Sequence, residues 1–226
     1  MINELIFCFS IVFIAAATIG ALTVSAAALT ALVSLSVVLM NLFVTKQILL
    51  FGYNATSTDA LGIGAVLGIN LLREYYGRAV GRQAVIISFL AVGFYTIISA
   101  LVLAYEPSAW DTQHVHCVAL LQPMPRILIA SLISYITIET LEYWLYDRLY
   151  KKLNGRYFIA RNYAIVLFTQ LLDTVFFTLL GLHGIVDNIG EIMLVSYGIK
   201  VVTIICMTPL VALCKKILDW VGYVAV

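Results

Sequence analysis

Long apolar runs separated by short polar connections make up almost the whole chain. Residues 5–44 are nearly all apolar, and a single helix over them would be roughly 60 Å long at about 1.5 Å per residue, twice the thickness of a bilayer's hydrocarbon core. This run must therefore fold back, most simply near Gly20 to Ser25. The pattern predicts helical segments at about 5–22, 25–44, 59–76, 83–104, 126–146, 161–182 and 191–214.

The composition identifies the class of protein. Of 226 residues, 63% are hydrophobic and only 11% are charged, whereas soluble domains carry about 25% charged residues. The mean hydropathy is +1.04. We therefore predict an all-α polytopic transmembrane helix bundle that forms a single transmembrane domain over residues 1–226. The formal net charge of +1 gives no indication of nucleic-acid binding.

The third segment is short and rich in glycine. Residues 51–58 form a polar connection before it, and Asp59 is a suitable N-cap or first-turn residue. Gly64 and Gly68 are four residues apart, a spacing that permits close helix contact. The segment either spans the membrane or is re-entrant or unwound, so the bundle has six to seven spans.

Lysine and arginine are unevenly distributed among the connections. They cluster after segments three and five and near the C-terminus, and they are absent after segments four and six. The positive-inside rule therefore predicts a cytoplasmic C-terminus. The side of the N-terminus depends on whether segment three spans.

Segment six carries a polar stripe at membrane depth. Asn162, Gln170 and Asp173 fall on one face of a helix with 3.6 residues per turn. An acid at the bilayer centre costs about 3 kcal/mol, and such residues usually mark functional sites. The alternative is a structural hydrogen-bonded seam between packed helices.

Polar residues of several segments form a larger set, which predicts a shared polar cavity, although a structural role remains the alternative for each member. Lys200 is the expected counter-charge of either Asp173 or Glu139. The set comprises Asn41, Asn70, Glu74, Glu139, Glu142, Asn162, Gln170, Asp173 and Lys200.

The chain lacks the motifs of common catalytic and metal sites. It contains no glycine-rich phosphate loop, no serine nucleophile elbow and no zincin helix. His114, His116 and Cys117 lie close together, but no second pair of ligands accompanies them. We predict no cofactor, no metal and no enzymatic activity.

Four blocks of sequence carry a family resemblance. They are NLFVTKQILLFGY (41–53), NLLREYYGRAVGRQ (70–83), RNYAIVLFTQLLDTVFF (161–177) and EIMLVSYGIKVVTIICMTPL (191–210). Their order resembles that of the queuosine precursor transporter family, also called the vitamin uptake transporter-like family. Gln170, Asp173, Tyr197 and Lys200 fall where the family pattern has them, and the likeness covers about residues 35–215.

The chain departs from the family pattern at three places. Members often carry Asp where this chain has Asn70, and Gln where it has Glu139. The first helix, at about 5–22, is additional to the shorter members, which have six spans. These departures leave open which precursor is carried.

The resemblance implies import of 7-deazaguanine bases such as queuine, preQ0 or preQ1 across a bacterial inner membrane, for tRNA modification. It implies that Asp173 or Glu139 accepts hydrogen bonds from the guanidine-like edge of the base. The implied substrate-binding residues are Asn41, Asn70, Glu139, Asn162, Gln170, Asp173, Tyr197 and Lys200.

Two other functions are compatible with the sequence. One is a substrate-binding membrane subunit of a multi-component vitamin-type uptake system, and the other is an intramembrane enzyme or assembly factor. The expected partners are a purine-like base and the lipid bilayer, with no direct contact to nucleic acid. Homo-oligomerisation, and the choice between ion coupling and facilitated diffusion, stay open.

Overall fold

The computed structural model describes residues 2–152 and 158–220, except for the side chains of 139, 143, 146, 147, 150, 158–162 and 206–220. The chain is almost entirely helical, with one small β-hairpin. The elements are α1 (Ile2–Val24), α2 (Ala26–Phe43), β1 (Gln47–Leu50), β2 (Tyr53–Thr56), α3 (Asp59–Tyr76), α4 (Arg78–Ala104), α5 (His114–Leu121), α6 (Met124–Lys152), α7 (Phe158–Phe177) and α8 (Ile189–Trp220).

The long N-terminal apolar run folds back where the sequence predicts. Only Ser25 separates α1 from α2, and it has extended backbone geometry. Its side-chain oxygen accepts a hydrogen bond from the backbone N–H of Ala28 at 3.0 Å. This N-cap satisfies one of the free donors of the first turn of α2, so the chain reverses within a single residue.

The connection after α2 is an antiparallel β-hairpin, whose second strand lies within the predicted polar connection 51–58. Leu50 pairs with Tyr53, so Phe51 and Gly52 form a two-residue turn. Both have positive φ, 52° and 85°, as a type I′ turn requires. The hairpin contacts α1, because the Asn3 side chain donates to the carbonyl oxygen of Leu49 at 2.9 Å.

Helix α3 is continuous from Asp59 to Tyr76, the predicted bounds, and is neither broken nor unwound. A methyl group on Gly64 would collide with the side chain of Ile14 in α1, and one on Gly68 with Val33 in α2. The two glycines thus allow the close helix contact that their spacing predicts.

Two apolar clusters define the opposite ends of the bundle. The first joins the end of α1, the start of α2, the end of α3 and the start of α4 through Leu22, Leu29, Leu71 and Ala84. The second joins the end of α2, the starts of α6 and α8 and the loop before α8. We call the end of the bundle at the second cluster the hairpin end. The end at the first cluster is the basic end, because Arg73, Arg78 and Arg82 lie there. Helix α3 therefore runs from the hairpin end to the basic end.

Several helices have the length and composition of membrane spans. Among the described residues they are Ile2–Val24, Ala26–Phe43, Arg78–Ala104, His114–Glu142 and Tyr163–Leu182. They agree with the predicted all-α polytopic bundle.

Helix α7 continues into a π-helical turn, Thr178–Leu182. A π turn widens the helix and leaves its carbonyl groups less regularly paired. The Arg126 side chain of α6 donates to the carbonyl oxygen of Leu180 at 2.8 Å, and Gly181 packs closely against Ala130. The widened turn is thus held against the first turns of α6.

Candidate functional site

An ion pair joins α7 and α8 inside the bundle. The Lys200 ammonium lies 2.7 Å from Oδ2 of Asp173. The lysine side chain is 34% exposed and the aspartate side chain 28%, so the pair is accessible. Asp173 lies within the membrane-span candidate Tyr163–Leu182. This is one of the two pairings of Lys200 that the sequence analysis allows.

A second carboxylate faces the same stretch of α8. The Ser196 hydroxyl approaches both oxygens of Asp59, at 3.1 and 3.2 Å. Asp59 is therefore more than a first-turn residue of α3, because it also joins α3 to α8.

These side chains form one polar group, which we call the Lys200 network: Asp59, Asp173, Ser196 and Lys200. Lys200 is close enough to Asp59 for a Coulombic interaction. The network lies roughly 16 Å along α8 from its first residue, at a rise of about 1.5 Å per residue. It thus combines two acids and one amine, contributed by three helices.

Two predicted site residues flank the network. Gln170 is partly buried and precedes Asp173 by three residues on α7, nearly one helical turn. Tyr197 precedes Lys200 by three residues on α8. Its hydroxyl donates to the carbonyl oxygen of Leu167 at 3.3 Å, which fixes its ring between α7 and α8.

Asn41 makes a separate contact between α2 and α6. It is 4% exposed, its amide nitrogen donates to the carbonyl oxygen of Val37 at 2.8 Å, and its oxygen accepts from the Ser131 hydroxyl at 3.4 Å. Ser134, nearly one turn further along α6, is 1% exposed, and its hydroxyl has no hydrogen-bond partner among the described residues. The face of α6 near α2 is thus polar.

The other predicted site residues are not part of these contacts. Asn70 is partly buried on α3, eleven positions after Asp59 and thus roughly 16 Å further along the helix. It therefore lies towards the basic end, away from the Lys200 network. The side chains of Glu139 and Asn162 lie outside the described residues, so the predicted pairing of Lys200 with Glu139 and the polar stripe through Asn162 stay predictions.

A further polar contact joins α6 to α7, where the Thr169 hydroxyl donates to Glu142 at 3.4 Å. Two surface cavities lie elsewhere: one of about 340 Å³ beside the loop after α4, and one of about 310 Å³ between α6 and the π turn. Neither of these two is lined by the Lys200 network. The shared polar chamber expected from the sequence stays a prediction.

The two histidines and the cysteine singled out in the sequence belong to α5, a short helix between the predicted segments four and five. Within the part of the chain that the structure describes, no group of three or more His, Cys, Asp or Glu side chains is arranged to hold a metal ion.

Comparison with known proteins identifies the family. A family model described as "Putative vitamin uptake transporter" matches residues 62–214, more than half of the chain. The chain belongs to this family. A protein of Bacillus subtilis (strain 168), named "Probable queuosine precursor transporter", is 28% identical over 189 residues, which cover 82% of each chain. No solved structure matches.

Membership of the vitamin uptake transporter family makes this chain a multi-pass membrane transporter, as the sequence resemblance implies. The matched range includes all of α7 and most of α8, with Asp173 and Lys200. Asp59 and Asn41 precede it. Sequence reasoning missed Asp59 and Ser196 as site residues because their contact joins positions 137 residues apart, which no local spacing reveals.

Proposed function

We propose that this transporter imports 7-deazaguanine precursors of queuosine. Its family and the name of its Bacillus subtilis relative support a substrate of this class. The observation that carries the proposal is the partly exposed ion pair that Lys200 forms with Asp173, an acid within the membrane-span candidate Tyr163–Leu182. A charged side chain at membrane depth has a high free-energy cost, so its presence there usually marks a functional site.

The ion pair has the donors and acceptors that a deazaguanine base needs. The base presents two adjacent donors, its ring N–H and its exocyclic amine, and next to them a carbonyl oxygen. A carboxylate is an acceptor that can bind two donors side by side, and an ammonium group carries three donors. Asp173 thus accepts from the two donors of the base, while Lys200 donates to its carbonyl oxygen. The donors of the base thus take the place of Lys200 beside Asp173, and its carbonyl oxygen takes the place of Asp173 beside Lys200.

The flanking residues fit the remaining parts of such a base. Gln170 carries both a donor and an acceptor close to Asp173, and Tyr197 presents a fixed aromatic ring close to Lys200. A planar heterocycle gains from stacking on such a ring. Glu139 and Asn162 are proposed as further polar contacts of the base, and Asn41 and Asn70 as contacts at other stages of its passage.

The proposed location is the bacterial inner membrane, with the C-terminus in the cytoplasm. The arginine-rich basic end supports this orientation through the positive-inside rule. The transported base and the lipids are the proposed partners. Transport by this chain alone distinguishes a complete carrier from a substrate-binding subunit that needs an energising complex.

Uptake in cells tests the proposal. A bacterial strain that lacks both queuosine synthesis and its own importer would express this chain and receive queuine, preQ0 or preQ1 in turn. We expect queuosine to reappear in tRNA with at least one base that the strain's enzymes can process. Direct uptake of each labelled base is measured in parallel, because it does not depend on those enzymes. Absence of uptake for all three bases, with the protein present in the membrane, would contradict the proposal.

Matched variants connect transport to the site. Asp173→Asn and Lys200→Met should abolish uptake, whereas Asp187→Asn, in an exposed loop, should retain it. Wild-type uptake by both site variants would show that the ion pair is not part of the transport site.

A further inference from the structure

Asp59 carries a charge that no cation neutralises by direct contact among the described residues. Its carboxylate accepts hydrogen bonds from the hydroxyl group of Ser196. Lys200 follows Ser196, which contacts Asp59, by four residues on α8, and in this structure its ammonium contacts Asp173 instead. Two acids of different helices thus compete for one ammonium group.

The geometry of α8 directs Lys200 towards both acids. Ser196 and Lys200 are four residues apart and occupy the same face of α8, about 6 Å from one another along the axis. Side chains of a helix tilt towards its N-terminus, so Lys200 leans towards the turn of Ser196. Ser196 touches Asp59 directly, and the flexible four-carbon stem of lysine can span one turn.

We propose that Asp59 is the second acceptor of the Lys200 ammonium, which Lys200 contacts when a base occupies Asp173. This inference rests on the proposed function. When the donors of the base bind Asp173, Lys200 loses its partner, and an unpaired ammonium at this depth is costly. Lys200 has three donors, so it can contact Asp59 and the carbonyl oxygen of the base together. Asp59 is thus a positioning residue that lowers the free-energy cost of separating Lys200 from Asp173.

Base binding to the purified protein in lipid nanodiscs tests the role of Asp59. Each of queuine, preQ0 and preQ1 would be titrated against the wild type, Asp59→Asn, Asp59→Glu and Asp187→Asn. We expect Asp59→Asn to bind the base about tenfold more weakly, and Asp59→Glu and Asp187→Asn to stay within about threefold of wild type. Because asparagine keeps an acceptor oxygen for the Ser196 hydroxyl, the melting temperature of Asp59→Asn without base should stay close to that of the wild type. Wild-type affinity of Asp59→Asn, or an equal loss of affinity in Asp59→Glu, would overturn the inference.

A second variant keeps the inference testable if Asp59→Asn does not fold. Ser196→Ala removes a donor from Asp59 and so makes that carboxylate a better acceptor for Lys200. Base binding should then tighten by about threefold, whereas a merely structural contact would give unchanged or weaker binding. Unchanged or weaker binding by Ser196→Ala would therefore overturn the inference. A wild-type protein that binds none of the three bases contradicts the proposed function itself, which distinguishes the two failures.

Discussion

Asn54 of β2 donates two hydrogen bonds to the same carboxylate oxygen of Glu191, one from its backbone N–H at 2.9 Å and one from its side-chain amide at 2.7 Å. Glu191 lies in the first turn of α8, where a negative charge also interacts favourably with the helix dipole. This contact attaches the β-hairpin to the helix that carries Lys200.

Removal of this contact should loosen the hairpin. Glu191→Ala loses two charge-assisted hydrogen bonds, so it should lower the melting temperature in detergent by a few degrees. Limited proteolysis should also cleave the hairpin faster. The control is Glu106→Ala, whose acid lies in an exposed loop and whose loss should leave the melting temperature unchanged. Equal stability of the two variants would contradict the assigned role of Glu191.

Because α3 packs closely against its neighbours at some glycines and not at others, the effect of a glycine substitution on stability should depend strongly on its position. Gly68→Ala should destabilise the protein by about 1–3 kcal/mol because the new methyl group collides with Val33. Gly62→Ala, on the same helix, should be neutral or stabilising because its nearest neighbour would be the sulfur atom of Met40 at 3.6 Å. The melting temperatures of the two variants in one detergent check this contrast, which would fail if both fell equally.

Because Asp173 and Lys200 form an ion pair, substitutions of the two should have non-additive effects on the free energy of unfolding. Asp173→Asn and Lys200→Met should each lower the free energy of unfolding by about 1–3 kcal/mol, less than for a fully buried pair because both side chains are partly exposed. The double variant should be more stable than the sum of the single effects predicts, because it leaves no unpaired charge. Uptake should remain absent in the double variant. Additive losses of stability would show that the two groups do not depend on each other.

Helix direction predicts which loops face outwards. In a cysteine-free background, Thr112→Cys in the exposed loop after α4 should react from outside with a membrane-impermeant maleimide. Arg82→Cys, an exposed position near the start of α4, should react only after permeabilisation. The reverse labelling pattern would mean that the basic end faces outwards, against the positive-inside rule.

The sequence predicts the helices well because their apolar runs are long and because residues typical of helix ends mark where they begin and end. The bounds of α3 follow from Asp59 at its start and from Gly77, with a φ of 89°, after its end. The pairing of Lys200 with Asp173 is also predictable in outline, since charges at membrane depth need partners.

Other features depend on tertiary contacts or on weak local patterns. The hairpin turn uses Phe51 and Gly52 rather than the common Asn-Gly or Asp-Gly pair, so its signal in the sequence is weak. The contact between Asp59 and Ser196 joins two helices that are distant in the chain, and no periodicity within either helix indicates it.

The hairpin and α3 are almost continuous, since only Ser57 and Thr58 separate Thr56 from Asp59. Thr58 is 2% exposed, so this two-residue connection is buried and constrained. A tilt of the hairpin would therefore carry the Asp59 carboxylate with it. An antibody fragment bound to the hairpin would thus act at a distance on the proposed binding site of the base, without contacting that site.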